Sequence, residues 1–90
     1  MTLNERHYNA QLKRGTITDK TKLKHFFAKL NEETTEMILD AQPYKLGYDN
    51  NFGMEAMDCI KVIENMLIHE GFNIDELREK NTIYQETRKD

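Results

Sequence analysis

Helix breakers and covalent cross-links are scarce in this chain. Of its 90 residues one is proline, Pro43, and four are glycines, Gly15, Gly47, Gly53 and Gly71. So few interruptions divide the sequence into three or four long segments and disfavour a fold of many short strands. Cys59 is the single cysteine, which excludes an internal disulfide and fits a reducing compartment. The longest apolar stretches, such as Met66-Leu67-Ile68, fall far short of the roughly 18 residues of a membrane span. No charged, apolar, small-residue pattern of a signal peptide opens the sequence, so a cytoplasmic protein without membrane association is expected. Cationic excess is missing as well. Thirteen Lys and Arg stand against 16 Asp and Glu, a formal charge of -3, whereas a duplex-binding module carries a basic face for phosphates. Duplex nucleic acid is therefore not an expected partner. No Gly-rich phosphate loop, Ser-centred elbow or zinc spacing occurs, and there is no Glu-x-x-His pair of the kind that di-iron bundles use. Any phosphate binding must come from metal and cationic side chains.

What the sequence does have is helical periodicity. Residues 3–14 carry Leu3, His7 and Ala10 on one side, a weak stripe ended by Gly15 after a last turn with Lys13 and Arg14; this predicts a short helix capped in the left-handed conformation. Residues 16–19 read as a turn. From about Lys20 to Ala41 the residues Leu23, Phe26, Phe27, Leu30, Thr34, Met37, Ile38 and Ala41 recur at spacings of three and four, which predicts a helix with one buried face. Pro43 restricts Gln42 and is expected to stop that helix nearby. Tyr44 to Phe52 reads as a loop containing Gly47 and the turn-forming run Asp49-Asn50-Asn51. A third helix is predicted from about Gly53 to Glu70, with Ala56, Cys59, Ile60, Ile63, Met66 and Leu67 as its main stripe. Met57, Val62 and Ile68 lie elsewhere around its circumference. Asn73 followed by Glu76 resembles a capping box and predicts a fourth helix with Ile74, Leu77, Asn81 and Tyr84 facing inward, its charged tail from Glu86 to Asp90 fraying.

The expected fold class is therefore all-α: one domain over residues 1–90, a small bundle of three long helices plus a weaker N-terminal one. A monomer of this size buries only about 60% of its unfolded surface. The thin core and the all-round apolar third helix predict completion by oligomerisation.

The acids carry the chemical signal. At about 100° per residue, Glu33 and Glu36 occupy one flank of the second helix's stripe, Asp40 continues that flank a turn later, and Glu55 and Asp58 edge the stripe of the third. Antiparallel packing through the stripes would bring these edges together, and converging carboxylates repel unless a hard divalent cation offsets them. Oxygen-only ligation suits Mg²⁺, with Mn²⁺ as the alternative. Solvated surface acids paired with Lys remain the plain reading of the same spacing.

The order of these residues narrows the choice. Lys29-Leu30-Asn31-Glu32-Glu33-Thr34-Thr35-Glu36 is followed, after eighteen residues, by Glu55-Ala56-Met57-Asp58. This resembles the E-E-x-x-E … E-x-x-D mark of the MazG-like, all-α nucleoside triphosphate pyrophosphohydrolases. Lys13-Arg14-Gly15 upstream and Gly71 and Ile74 downstream extend the likeness, and Lys80, Tyr84-Gln85 and Arg88 fill places where that family tends to carry a Lys, an aromatic-Asn pair and an Arg. Gln85 departs from the usual Asn. The resemblance implies a MazG-like domain that hydrolyses a nucleoside triphosphate to the monophosphate and pyrophosphate, with Glu33, Glu36, Glu55 and Asp58 as the catalytic Mg²⁺ ligands. Glu32 either orients those ligands from behind or is an exposed acid. Lys80 and Arg88, two helical turns apart on one face, are candidates for the triphosphate. Lys29 either reaches phosphate too or balances the acids, and Tyr84 and Gln85 are the implied nucleoside contacts. Tyr44, Tyr48 and Phe52 either stack on a base or pack the loop onto the bundle. Cys59 and the methionines read as packing. A second reading of the same fold is an inactive module that holds nucleotide or a protein partner without turnover.

Overall fold

The computed structural model describes residues 2–48 and 50–88. Four helices follow one another: α1 (Leu3–Arg14), α2 (Leu23–Lys45), α3 (Phe52–His69) and α4 (Ile74–Thr87). No strand occurs among the described residues, so the fold is all-α. No helix is long and apolar enough to cross a membrane among those residues. Asp49 and the last two residues of the charged tail lie outside them.

Local chemistry fixes the helix ends. At the start of α1 the Thr2 hydroxyl accepts from the Glu5 N–H at 3.1 Å and the Glu5 carboxylate accepts from the Thr2 N–H at 3.2 Å, a full capping box. Gly15 ends the helix at φ 76°, a conformation that costs a residue without Cβ little. Gly71 does the same after α3 at φ 88°. At α4 the Asn73 side chain accepts from the Glu76 N–H at 3.0 Å, as Asn followed by Glu suggested.

Pro43 does not stop α2, which runs through it to Lys45. Proline in the last turn removes a single N–H, the one that would have reached the carbonyl of Leu39. Leu39 is 69% exposed, so that carbonyl can tilt towards water. The end is closed by Leu46, whose N–H donates to the carbonyls of Gln42 and Pro43, and by Tyr48, whose N–H reaches Pro43, each at 3.1 Å. At the other end α2 begins three residues later than its periodicity suggested, because Thr18 and Thr21 hold a turn: the Thr18 N–H donates to the Thr21 hydroxyl at 2.9 Å and the Thr21 N–H to the Thr18 carbonyl at 3.1 Å.

α2 and α3 form an antiparallel hairpin, with Thr34 Oγ1 3.9 Å from Cys59 Sγ near its middle. Asn50 staples the connection, donating from Nδ2 to the Asp40 carbonyl at 2.8 Å and accepting at Oδ1 from the Phe52 N–H at 3.1 Å. Tyr44 stacks on Phe52 with ring centroids 5.1 Å apart. α1 packs against α3 rather than α2, and α3 alone touches the other three helices among the described residues.

The buried apolar side chains are Ile17, Phe26, Cys59, Val62 and Ile74. Ile17, in a segment expected to be only a turn, thus belongs to the core. Phe27, Ile38, Ile60 and Ile63, expected in the stripes, are exposed. α4 docks through Ile74 and an Arg78–Glu64 ion pair; beyond Leu77 all its described residues are exposed, so Asn81 and Tyr84 face outward, contrary to expectation. The diverging helix gives the chain a radius of gyration of 15.5 Å, where a compact chain of this length has about 12 Å.

Candidate active site

The hairpin carries acids along one edge. α2 supplies Glu33, Glu36 and Asp40, and α3 supplies Glu55 and Asp58. Because α2 and α3 are antiparallel, Asp40 near the end of α2 meets Glu55 in the first turn of α3. Loss of water around Glu55 raises its proton affinity above the ordinary value, and a hydrogen bond to Asp40 raises it further, as do the negative charges of Asp40, Glu36 and Asp58. That hydrogen bond exists only when one carboxyl is protonated. With both ionised, Glu55 Oε2 is sealed from solvent and has no hydrogen-bond partner.

Glu33 stands about two turns before Asp40 along α2 and is buried at 8% exposure. Its carboxylate takes the Lys29 ammonium at 3.1 Å, and Lys29 also approaches Glu32 at 3.6 Å. These contacts, the hydrogen bond to Glu33 first, raise the proton affinity of Lys29. Glu32 itself is exposed. Asp58 has Lys61 at 3.8 Å and lines the same cavity as Glu33. Asp40 thus pairs with Glu55, which also feels the charges of Glu36 and Asp58, while Glu33 has its charge engaged by Lys29 and shares a cavity with Asp58. No three His, Cys, Asp or Glu side chains among the described residues close around one point tightly enough to hold an ion as they stand.

The donor set nonetheless fits a hard cation. Oxygen ligands alone are offered, and the orphaned buried Oε2 of Glu55 is the kind of atom a cation satisfies.

The α4 candidates sit elsewhere. Lys80 lines an open groove between α3 and α4 with Ile60, Ile63 and Leu67. Leu67 follows Asp58 by nine residues, about half a turn around the helix at about 100° per residue, so the groove opens on the face of α3 away from the acids. Tyr84 and Gln85 are exposed on the second half of α4, and Arg88 is exposed at its C-cap. Within one chain these four residues are not brought to the acidic edge. Tyr44 and Phe52 engage each other, and Tyr48 is exposed.

Asn65 was not marked by any sequence pattern. It is 7% exposed, its Oδ1 has no hydrogen-bond partner, and it lines the cavity of Glu33 and Asp58. Its place one helical turn past Lys61, on the Asp58 flank, is the only trace in the sequence.

Comparison with protein-family models, curated proteins and solved structures finds no match to the chain.

Proposed function

We propose that the chain is a Mg²⁺-dependent nucleoside triphosphate pyrophosphohydrolase, converting a triphosphate and water to the monophosphate and pyrophosphate, in the manner of the MazG-like enzymes its acids resemble. A role in cleansing the nucleotide pool suits that chemistry. What supports the reading is the Asp40–Glu55 carboxyl pair on the α2–α3 edge, where the negative charges of Glu36 and Asp58 also raise the proton affinity of the half-buried Glu55, and the cavity that Glu33 and Asp58 line together. Such crowding destabilises a fold that makes no use of it.

Glu33, Glu36, Glu55 and Asp58 would hold Mg²⁺ or Mn²⁺, which when bound neutralises phosphate charge and acidifies a coordinated water. The chain's own residues do the rest. Glu55, whose proton affinity is raised by desolvation and by Asp40, would have to be ionised to hold a cation, and Asp40 would be left as an unligated carboxylate at the site. Lys29 exchanges Glu33 for phosphate.

Lys80, Arg88, Tyr84 and Gln85 join the acids only across a subunit seam. A homodimer or dimer of dimers therefore belongs to the proposal, supported by the exposed Ile60, Ile63, Ile83 and Tyr84. So does a cytoplasmic location, where the lone Cys59 stays reduced.

A second reading, a nucleotide-binding or protein-interaction module without turnover, is favoured by the Lys29–Glu33 contact at 3.1 Å, which occupies one would-be ligand. One assay separates the two: purified protein with Mg²⁺ and a panel of ribo- and deoxyribonucleoside triphosphates, read by pyrophosphate release. Release that disappears in Glu36→Gln supports the enzyme. Binding without release supports the module.

A further inference from the structure

We propose that Arg14 grips the phosphate chain of the substrate, from the lining of a cavity between α1, the 15–18 turn, α2 and α3. The proposal rests on the hydrolase reading for its substrate and on a separate residue for its evidence.

The cavity is half open to water and measures about 600 Å³, within the range of small-molecule sites. Its apolar wall includes the buried side chains of Ile17, Phe26 and Val62. Glu33 and Asp58 are on its lining, so it borders the acidic edge. Arg14, Lys29 and Lys61 are there too, three cations against two carboxylates, in a chain whose formal charge is -3. Two of the three are engaged: Lys29 lies 3.1 Å from Glu33, and Lys61 3.8 Å from Asp58. The Arg14 side chain has no ion pair or hydrogen bond among the described residues. Its charge is the surplus, and an anion is the ligand that such a surplus attracts.

The backbone under Arg14 is fixed. Arg14 stands in the last turn of α1, on the face that also turns His7 and Ala10 to the cavity. Just beyond it the Thr16 N–H and hydroxyl each donate to the Gln11 carbonyl at 3.1 Å, and Ile17 is buried at 4% exposure. The Gly15 N–H takes the Leu12 carbonyl at 3.1 Å. These bonds occupy carbonyls that would otherwise repel an anion at this helix end. A guanidinium presents two parallel N–H groups that match two phosphate oxygens, and Arg14 breaks no described contact in offering them. Lys29 and Lys61 must first leave their carboxylates, and Lys80 lines a different cavity. Acids for the metal and an arginine for the phosphate chain thus stand on different helices around one space, within a single chain.

The test measures binding to the whole protein by calorimetry in the presence of Mg²⁺. The probes are inorganic tripolyphosphate and the α,β-imido triphosphates of adenosine and uridine. Wild type is compared with Arg14→Gln and Lys13→Gln, which remove the same charge from adjacent exposed positions of α1; Lys13 is off the cavity lining. Arg14→Gln should weaken the tightest-binding probe by about tenfold or more, and Lys13→Gln should stay within about twofold of wild type. Unchanged affinity in Arg14→Gln, an equal loss in both variants, or no binding of any probe by wild type overturns the assignment. Should Arg14→Gln not fold, Arg14→Lys is read instead, since it keeps the charge and loses the paired N–H groups. A loss of about threefold or more then supports the assignment, and unchanged affinity overturns it. Pyrophosphate release from ordinary triphosphates is measured alongside, where Arg14→Gln should raise KM by about tenfold and change kcat less. Arg14-dependent binding without release in wild type sinks the hydrolase reading and leaves Arg14 standing. Release with KM unchanged in Arg14→Gln does the reverse.

Discussion

Asp40 near the end of α2 stands within hydrogen-bonding reach of Glu55 in the first turn of α3. The hairpin forces the meeting: Asn50 is tied to the Asp40 carbonyl and also accepts the Phe52 N–H at the beginning of α3. Desolvation of Glu55, the bond to Asp40 and the charges of Asp40, Glu36 and Asp58 then hold the Glu55 proton above its ordinary affinity.

The first prediction concerns the metal-free protein. A carboxyl that binds its proton more tightly folded than unfolded leaves the folded state with more bound protons between the two pKa values. Stability therefore falls as pH rises from the ordinary glutamate range through the raised value, and stays lowered above it. Glu55→Gln removes the titration. In chelator-treated samples its melting midpoint should exceed that of wild type near pH 7, and the gap should close below about pH 4. Equal midpoints at both ends would show that the acids do not strain the fold.

Metal should reverse the strain. A ligand that binds only the native state adds about 2.7 kcal/mol at a hundred times its Kd, so Mg²⁺ should raise the wild-type midpoint and leave that of Glu36→Gln nearly unmoved. Binding should also release protons, because Glu55, whose proton affinity is raised, must ionise to ligate. Titrating Mg²⁺ into weakly buffered protein just above the ordinary glutamate range should acidify the solution, and Glu55→Gln should abolish most of that release. The absence of both effects at millimolar Mg²⁺ would count against a metal site.

The α2–α3 geometry was largely legible because both helices carry long apolar stripes, and acids three residues apart must share a flank once the stripes face each other. Capping made α1, α3 and α4 readable to within a residue or so: Gly15, Gly71 and Asn73 act locally, where sequence is explicit. α2 was misplaced by three residues at its start and four at its end. Its start depends on hydrogen bonds between Thr18 and Thr21, and its end on how little a proline costs in a last turn. Periodicity could not reveal that Phe27, Ile38, Ile60 and Ile63 stay exposed, since a stripe says which face is apolar and not what covers it. Ile17 and Asn65 escaped for a related reason. One is a core residue outside any helix, and the other a polar residue whose burial follows from the placement of α1.

α4 should prove the least firmly held element. Its anchors are Ile74 and the ion pair from Arg78 to the buried Glu64, with Asp75 at 3.6 Å from the same guanidinium. Arg78→Ala would strand the Glu64 carboxylate at 9% exposure. The Arg78 side chain is itself 57% exposed, so solvent screens the pair and the loss should be modest, about 1–2 kcal/mol. Hydrogen exchange should show α4 amides opening faster in Arg78→Ala while α2 and α3 amides change less. Combining it with Glu64→Leu, which removes the stranded charge, should recover much of the loss.

The last prediction is an assembly. A single chain leaves Ile60, Ile63, Ile83 and Tyr84 between 40% and 55% exposed and sends half of α4 away from its own core. Specific interfaces bury about 800 Å² per partner, roughly a tenth of the 7178 Å² that this chain exposes. The two apolar faces of α3 and α4 are the surfaces suited to supply that area. Light scattering at micromolar concentration should therefore give at least twice the 10.7 kDa chain mass. Ile63→Glu places a charge in the α3–α4 groove without touching the acidic edge, because Ile63 and Lys80 line that groove together. The variant should run as a single chain, and its melting midpoint should lose the concentration dependence expected of an oligomer. If Lys80 and Arg88 serve the acids of a partner subunit, pyrophosphate release should fall with dissociation. Mixing Ile63→Glu with Glu36→Gln should then restore no activity, since the first cannot dock and the second cannot turn over. A wild-type protein that is monomeric throughout the micromolar range yet fully active would show that α4 has no part in the chemistry.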